Sequence, residues 1–185
     1  KIRFKKELLI PILLVAFFQP ILYFIFESYG LAKTPSSEAG MMIALIPIFV
    51  TILSSLILNE KPSLGQVFFI ILSFSGIILI QILNGRGSNG SSFLGLALLL
   101  LAVVSAALFN IASRNASKKV NPYELTYFMM LSGALVFNVI YFVQLLLNGE
   151  INTYFSSFST FSVIGPIIYL GIVASIGGFF LVNFA

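Results

Sequence analysis

Six apolar runs, each near twenty residues long, leave this chain few ways to fold. They extend over about Leu8 to Leu31, Gly40 to Leu58, Leu64 to Leu83, Phe93 to Ala112, Tyr123 to Leu147, and Phe161 to the end. A helix rises 1.5 Å per residue, so about 20 residues cross a hydrocarbon core of about 30 Å. In lipid every backbone N–H and C=O needs an internal partner, and among open-ended elements only a helix supplies one. The expected fold is therefore all-α, a polytopic membrane helix bundle with six helices in this chain.

Composition agrees. Apolar residues make up 59% of the 185 and charged residues 9%, against roughly 45–50% and 25% in soluble domains. No soluble fold could cover so much apolar surface. Neither cysteine nor histidine occurs, which removes disulfides, thiol nucleophiles, imidazole bases and the usual zinc and haem ligands. No metal and no cofactor is expected, and an enzyme is not. The formal charge of +4 comes from ten basic residues scattered in short gaps rather than clustered on a water-facing surface, so no nucleic-acid partner is expected. The expected partners are the lipid bilayer and a small-molecule solute.

The gaps carry turn chemistry in "KTPSSEAG", "NEKPS", "NGRGSNGSS" and "RNASKKVNP". Alternate gaps differ in charge. One side receives Lys1, Arg3, Lys5, Lys6, Lys61, Arg114, Lys118 and Lys119, and the other only Lys33 and Arg86. The positive-inside rule makes the first side cytoplasmic, residues 1–7 included, in a multi-pass protein of the cell membrane. "NPYE" places Asn121 as a helix N-cap, Pro122 at the first helical position and Glu124 at the third. The first run is too long for a signal-peptide core. A start at Lys1 without methionine, and an end at Ala185 inside an apolar run, read as a fragment.

The last run repeats the first at a fixed offset of 155. "PILLVAFFQPILYFIFESYG" from Pro11 falls on "PIIYLGIVASIGGFFLVNFA" from Pro166, with Phe24 on Phe179. Five spans separate the two, so the copies run in opposite directions across the membrane. Inverted repeats are a transporter device, in which two halves meet near the midplane and rock about a shared site.

"LYFIFESYGLAKTPSSEAGMMIALIPIFVTILSSLILNEKPSLGQVFFIILSFSGIILI" closely resembles the first half of EamA-like transporters of the drug/metabolite transporter superfamily. "NIASRNASKKVNPYELTYFMMLSGAL" and "YLGIVASIGGFFLVNFA" are similar to the start of the second half. The resemblance implies ten helices in two inverted five-helix repeats, with this chain holding helices three to eight. It implies a division into residues 1–84 of the first repeat, an external linker at 85–92, and residues 93–185 of the second. It also implies a cavity lined from both halves.

Polar groups at depth are the candidate site, because an uncompensated one is costly in lipid. Gln19 and Pro20 fall near the middle of the first run. Pro20 has no N–H, so the carbonyl of Ala16 loses its helical partner; the amide beside it reads either as a binding element or as an interhelical bond. Pro47 lies inside the second run, where Thr51, Ser54 and Ser55 could re-satisfy freed carbonyls. Asn110 sits near the cytoplasmic end of the fourth run, and its resemblance to the family suggests a cavity-facing role. Asn138, mid-span in the fifth, reads as helix packing, as do the small residues of "GIVASIGG". By the same resemblance Tyr23, Phe24, Tyr29, Tyr169 and Phe179 are candidates to line the path of an amphipathic metabolite. Glu27 is the one carboxylate well inside a run and away from its start. Counting from Leu8 brings it close to the outer surface, so it reads either as interfacial or as an outer gate that meets a substrate amine.

The function expected is a permease for small organic metabolites, amino acids or related solutes, working by alternating access, with efflux one direction open to it. The alternative is a non-transporting membrane scaffold or sensor.

Overall fold

A computed structural model describes residues 9–83, 92–154, 161–178 and 181–182. The regular elements among them are helices. The first run forms α1 (Leu9–Ala16), an irregular wide turn over Phe17–Leu22, and α2 (Tyr23–Leu31). The second forms α3 (Ser36–Ile43) and α4 (Ile46–Leu58), and the third α5 (Leu64–Leu83). Then come α6 (Phe93–Ser117) and α7 (Pro122–Asn148), a short 3-10 turn at Ile151–Thr153, α8 (Phe161–Ile168), and a second wide, π-like stretch at Tyr169–Gly177. Among the described residues four stretches are long and apolar enough to cross a membrane: Leu9–Leu31, Ser36–Leu58, Phe93–Ser117 and Pro122–Asn148. The protein is an all-α membrane helix bundle.

The helix ends follow from local chemistry. The Asn121 side chain accepts from the backbone N–H of Tyr123 at 3.0 Å, with Pro122 in the first turn, as the "NPYE" pattern predicts. Gly149 closes α7 in the left-handed region (φ 73°), and the N–H groups of Gly149 and Glu150 donate to Leu146 and Leu145. The turn in "NEKPS" is made by Asn59, also left-handed (φ 55°). It is followed by a capping box: Ser63 Oγ accepts from the Gln66 N–H at 3.2 Å, and Gln66 Oε1 from the Ser63 N–H at 2.8 Å.

Two compact units make up the chain: Leu22–Ala112, and Lys1–Ile21 with Ser113–Ala185 as far as these are described. In the first, α2 lies antiparallel along α6. Tyr23 packs on Ala102 and Ala106, Gly30 meets Leu99, and Thr34 meets Gly95. The alanines at 102 and 106 share one face of α6, leaving a smooth strip on which an aromatic ring can lie. Phe24, Phe26 and Ile46 complete this cluster. Small residues at the contact let backbones approach closely, the usual basis of helix association in lipid. The glycines that serve this purpose are Gly30 and Gly95 here and Gly133 of α7 in the other unit. Within "GIVASIGG" a Cβ at Gly171 or Gly178 would meet nothing within 4 Å, and one at Gly177 would meet the Ile172 carbonyl at 3.8 Å.

The apolar exterior is extensive. α4 has no buried residue, and Phe68, Phe69, Ile71 and Leu72 of α5 are all more than half exposed. A surface of this kind is costly in water and neutral against acyl chains. The linker expected at 85–92 and the cytoplasmic segment expected at 1–7 lie outside the described residues, save Ser92, whose N–H donates to the Lys33 carbonyl at 3.2 Å.

Candidate functional site

Pro20 was expected to loosen the first run, and the structure breaks it. Gln19 leaves the helical region altogether (φ −149°, ψ 123°), and α2 restarts at Tyr23. The interruption falls about ten residues, or ~15 Å, from the start of α1, near the middle of the candidate span Leu9–Leu31. Backbone groups that a continuous helix would pair are released there. Pro20 itself is buried, and its ring lies against Gly133 of α7, in the same unit. Gln19 is half-buried, so its amide adds a further donor and acceptor to the interrupted turn.

The sixth run is irregular in the corresponding place. An offset of 155 carries Phe17–Leu22 onto Ile172–Gly177, and the wide stretch Tyr169–Gly177 includes all of it. α7 packs against both α1 and this stretch. Tyr169 is 61% exposed. Phe179 lies outside the described residues.

In the unit Leu22–Ala112 the candidates Tyr23, Phe24, Glu27 and Asn110 gather around the contact of α2 with α6. The Tyr23 hydroxyl donates to Glu27 Oε1 at 2.8 Å across one helical turn. Tyr23 is buried; Phe24 and Glu27 are half-buried. The Tyr23 and Phe24 rings meet edge to face, centroids 5.2 Å apart. On α6, Asn110 Nδ2 donates to the carbonyl of Ala106 at 2.8 Å, the residue on which Tyr23 packs. That bond leaves the Asn110 carbonyl oxygen as an acceptor.

Pro47 lies within the candidate span Ser36–Leu58, but not inside a continuous helix. The second run turns at Ala44 and Leu45, so Pro47 sits in the first turn of α4, where its missing N–H costs nothing, and it is exposed. Its neighbour Ile46, not Pro47, joins the Tyr23 cluster. Thr51 donates to the Pro47 carbonyl at 2.9 Å and Ser54 to the Thr51 carbonyl at 3.1 Å, so neither repairs a carbonyl freed by the proline. Asn138 does not join helices as expected: its side chain donates to the Ala134 carbonyl and accepts from the Tyr154 hydroxyl at 2.6 Å. Tyr154 thus returns past Gly149 onto α7, its ring 5.4 Å from that of Tyr141. Among the described residues no group of three or more carboxylate, imidazole or thiol side chains could hold a metal ion.

Residues 1–82 match the profile of the EamA-like transporter family. The whole chain is 35% identical over 184 residues to the uncharacterized transporter YcxC of Bacillus subtilis. It is 28% identical over 183 residues to an uncharacterized transporter of Archaeoglobus fulgidus. Over 128 residues, 69% of the chain and 44% of the relative, it is 27% identical to the pseudopaline exporter CntI of Pseudomonas aeruginosa. The chain spans 59% of the length of each of the first two relatives. No solved structure gives a significant match. In its first part the chain is similar to the EamA-like transporter family, and over its whole length to these first two transporters.

Proposed function

We propose that the protein is a permease that moves small organic metabolites, amino acids or related solutes, across the cell membrane by alternating access, with residues 1–7 on the cytoplasmic side. The observation that carries this reading is the mid-span break at Gln19 and Pro20, whose repeat-related counterpart falls within the wide, π-like stretch Tyr169–Gly177. Interrupted helices offer unpaired main-chain groups at depth only where protein or a cavity receives them. Irregular helices in corresponding places of an inverted repeat are the transporter pattern. The relative named as a pseudopaline exporter supports export as the direction. The candidates Gln19, Pro20, Tyr23, Phe24, Glu27 and Asn110 line the path in this reading, Tyr169 and Phe179 belong to the second copy, and Pro47 sets the start of α4.

The test is flux in liposomes reconstituted with the full-length protein, using a panel of radiolabelled amino acids and related metabolites. Accumulation or release of at least one solute above protein-free vesicles is expected. No flux for any solute, with folded protein confirmed, would count against the permease.

A further inference from the structure

Glu27 is the one carboxylate well inside a candidate span, and among the described residues its side chain meets a hydroxyl and no cation. The Tyr23 hydroxyl occupies one oxygen at 2.8 Å. A carboxylate has room for about four hydrogen bonds. The apolar side chains packed with Tyr23 include Phe24, Phe26, Ile46, Ala102 and Ala106. Lys33, the next basic residue along the chain, lies beyond the end of α2 in the turn whose carbonyl binds the Ser92 N–H. Half-buried Glu27 therefore keeps an open acceptor side in an aromatic setting, about one turn from the end of α2.

We propose that the Tyr23–Glu27 pair is a binding site for an ammonium group carried by a solute. Among the described residues no cation meets this carboxylate, and a carboxylate in a spanning segment calls for a partner. A primary ammonium can donate to Glu27, while the neighbouring π faces favour a cation over a neutral or anionic group. Tyr23 fixes the carboxylate rotamer and is a positioning residue. The site's role as a substrate site rests on the permease reading; its occupancy can be measured without flux.

These 185 residues contain no cysteine, so Ser28→Cys, exposed and next to Glu27, gives a single reporter thiol in a full-length protein in which any cysteine outside them is replaced by serine. Its labelling is measured in zwitterionic phosphatidylcholine vesicles with cationic trimethylammonium-ethyl and anionic sulfonatoethyl methanethiosulfonate, each normalised to a free thiol. The cationic reagent is expected to be favoured by about tenfold, and Glu27→Gln to abolish that preference. Millimolar n-hexylammonium is expected to slow labelling by about threefold or more, hexanol and hexanoate to leave it unchanged, and Glu27→Gln to remove the protection. Tyr23→Phe should keep the cation preference and weaken the protection. The proposal is overturned if the cation preference is missing, if hexanol protects as well as hexylammonium, or if protection survives Glu27→Gln. It is also overturned if phosphatidylethanolamine vesicles alone give the full protection and hexylammonium adds none, since the occupant is then a lipid headgroup. Silent flux with protection intact would remove the permease reading and leave the ammonium site standing.

Discussion

The ring of Pro20 sits so close over Gly133 that a Cβ at position 133 would lie 2.7 Å from Pro20 Cγ. A pyrrolidine ring cannot swing aside as a flexible side chain can. Gly133→Ala is therefore expected to destabilise the protein by about 1–3 kcal/mol, the usual range for overpacking. Pro20→Ala in the same background should recover part of the loss. Thermal unfolding of the single and double variants in detergent measures the coupling; additive effects would show that the two residues do not touch.

The contact of α2 with α6 makes a parallel prediction with its own control. A Cβ at Gly30 would fall 2.8 Å from Leu99 Cγ and 3.2 Å from the Leu99 backbone nitrogen, whereas one at Gly40 would meet nothing within 4 Å. Gly30→Ala should lower the melting temperature, by an amount equivalent to about 1–3 kcal/mol. Gly40→Ala, in the helical interior of α3, should raise stability by about 0.5–1 kcal/mol through the lost freedom of the unfolded chain.

Thr34 is 7% exposed, and its hydroxyl, pressed against Gly95, has no partner. An unmet buried hydroxyl is a cost that an isosteric apolar group removes. Thr34→Val is expected to be neutral or stabilising by up to about 1–2 kcal/mol, read as a higher melting temperature. A clear loss of stability would mean that the hydroxyl is satisfied in the folded protein.

Much of the fold was legible because lipid imposes a simple rule. Each described span lies where an apolar run of sufficient length was read, since no other feature could meet the backbone requirement. The interruptions were less so. Pro20 announced a missing donor, but how far the helix opens depends on the notch at Gly133, more than a hundred residues away. The turn at Ala44 and Leu45 left no mark, because "MMIALIPIF" is apolar throughout and α3 and α4 read as one block. The partner of Asn138 is hidden for a related reason: Tyr154 is reached through the reversal at Gly149, and amide chemistry alone names no partner. The clustering of Tyr23, Phe24, Glu27 and Asn110 could be seen in part, since Tyr23 and Glu27 are one turn apart. Their meeting with Ala102 and Ala106 depends on the antiparallel register of α2 and α6, which sequence patterning does not set.

The account turns on Gln19, the extended residue at the break in the first span, being on a path that opens to each side in turn. The absence of cysteine from these 185 residues allows a direct test: Gln19→Cys in a full-length protein with any cysteine outside them replaced by serine, in sealed vesicles, treated with a membrane-impermeant thiol reagent from outside or from inside. Labelling from both sides, with the balance shifted by transported solute, is the predicted result; a thiol reached from neither side, or from one side only under every condition, would contradict it.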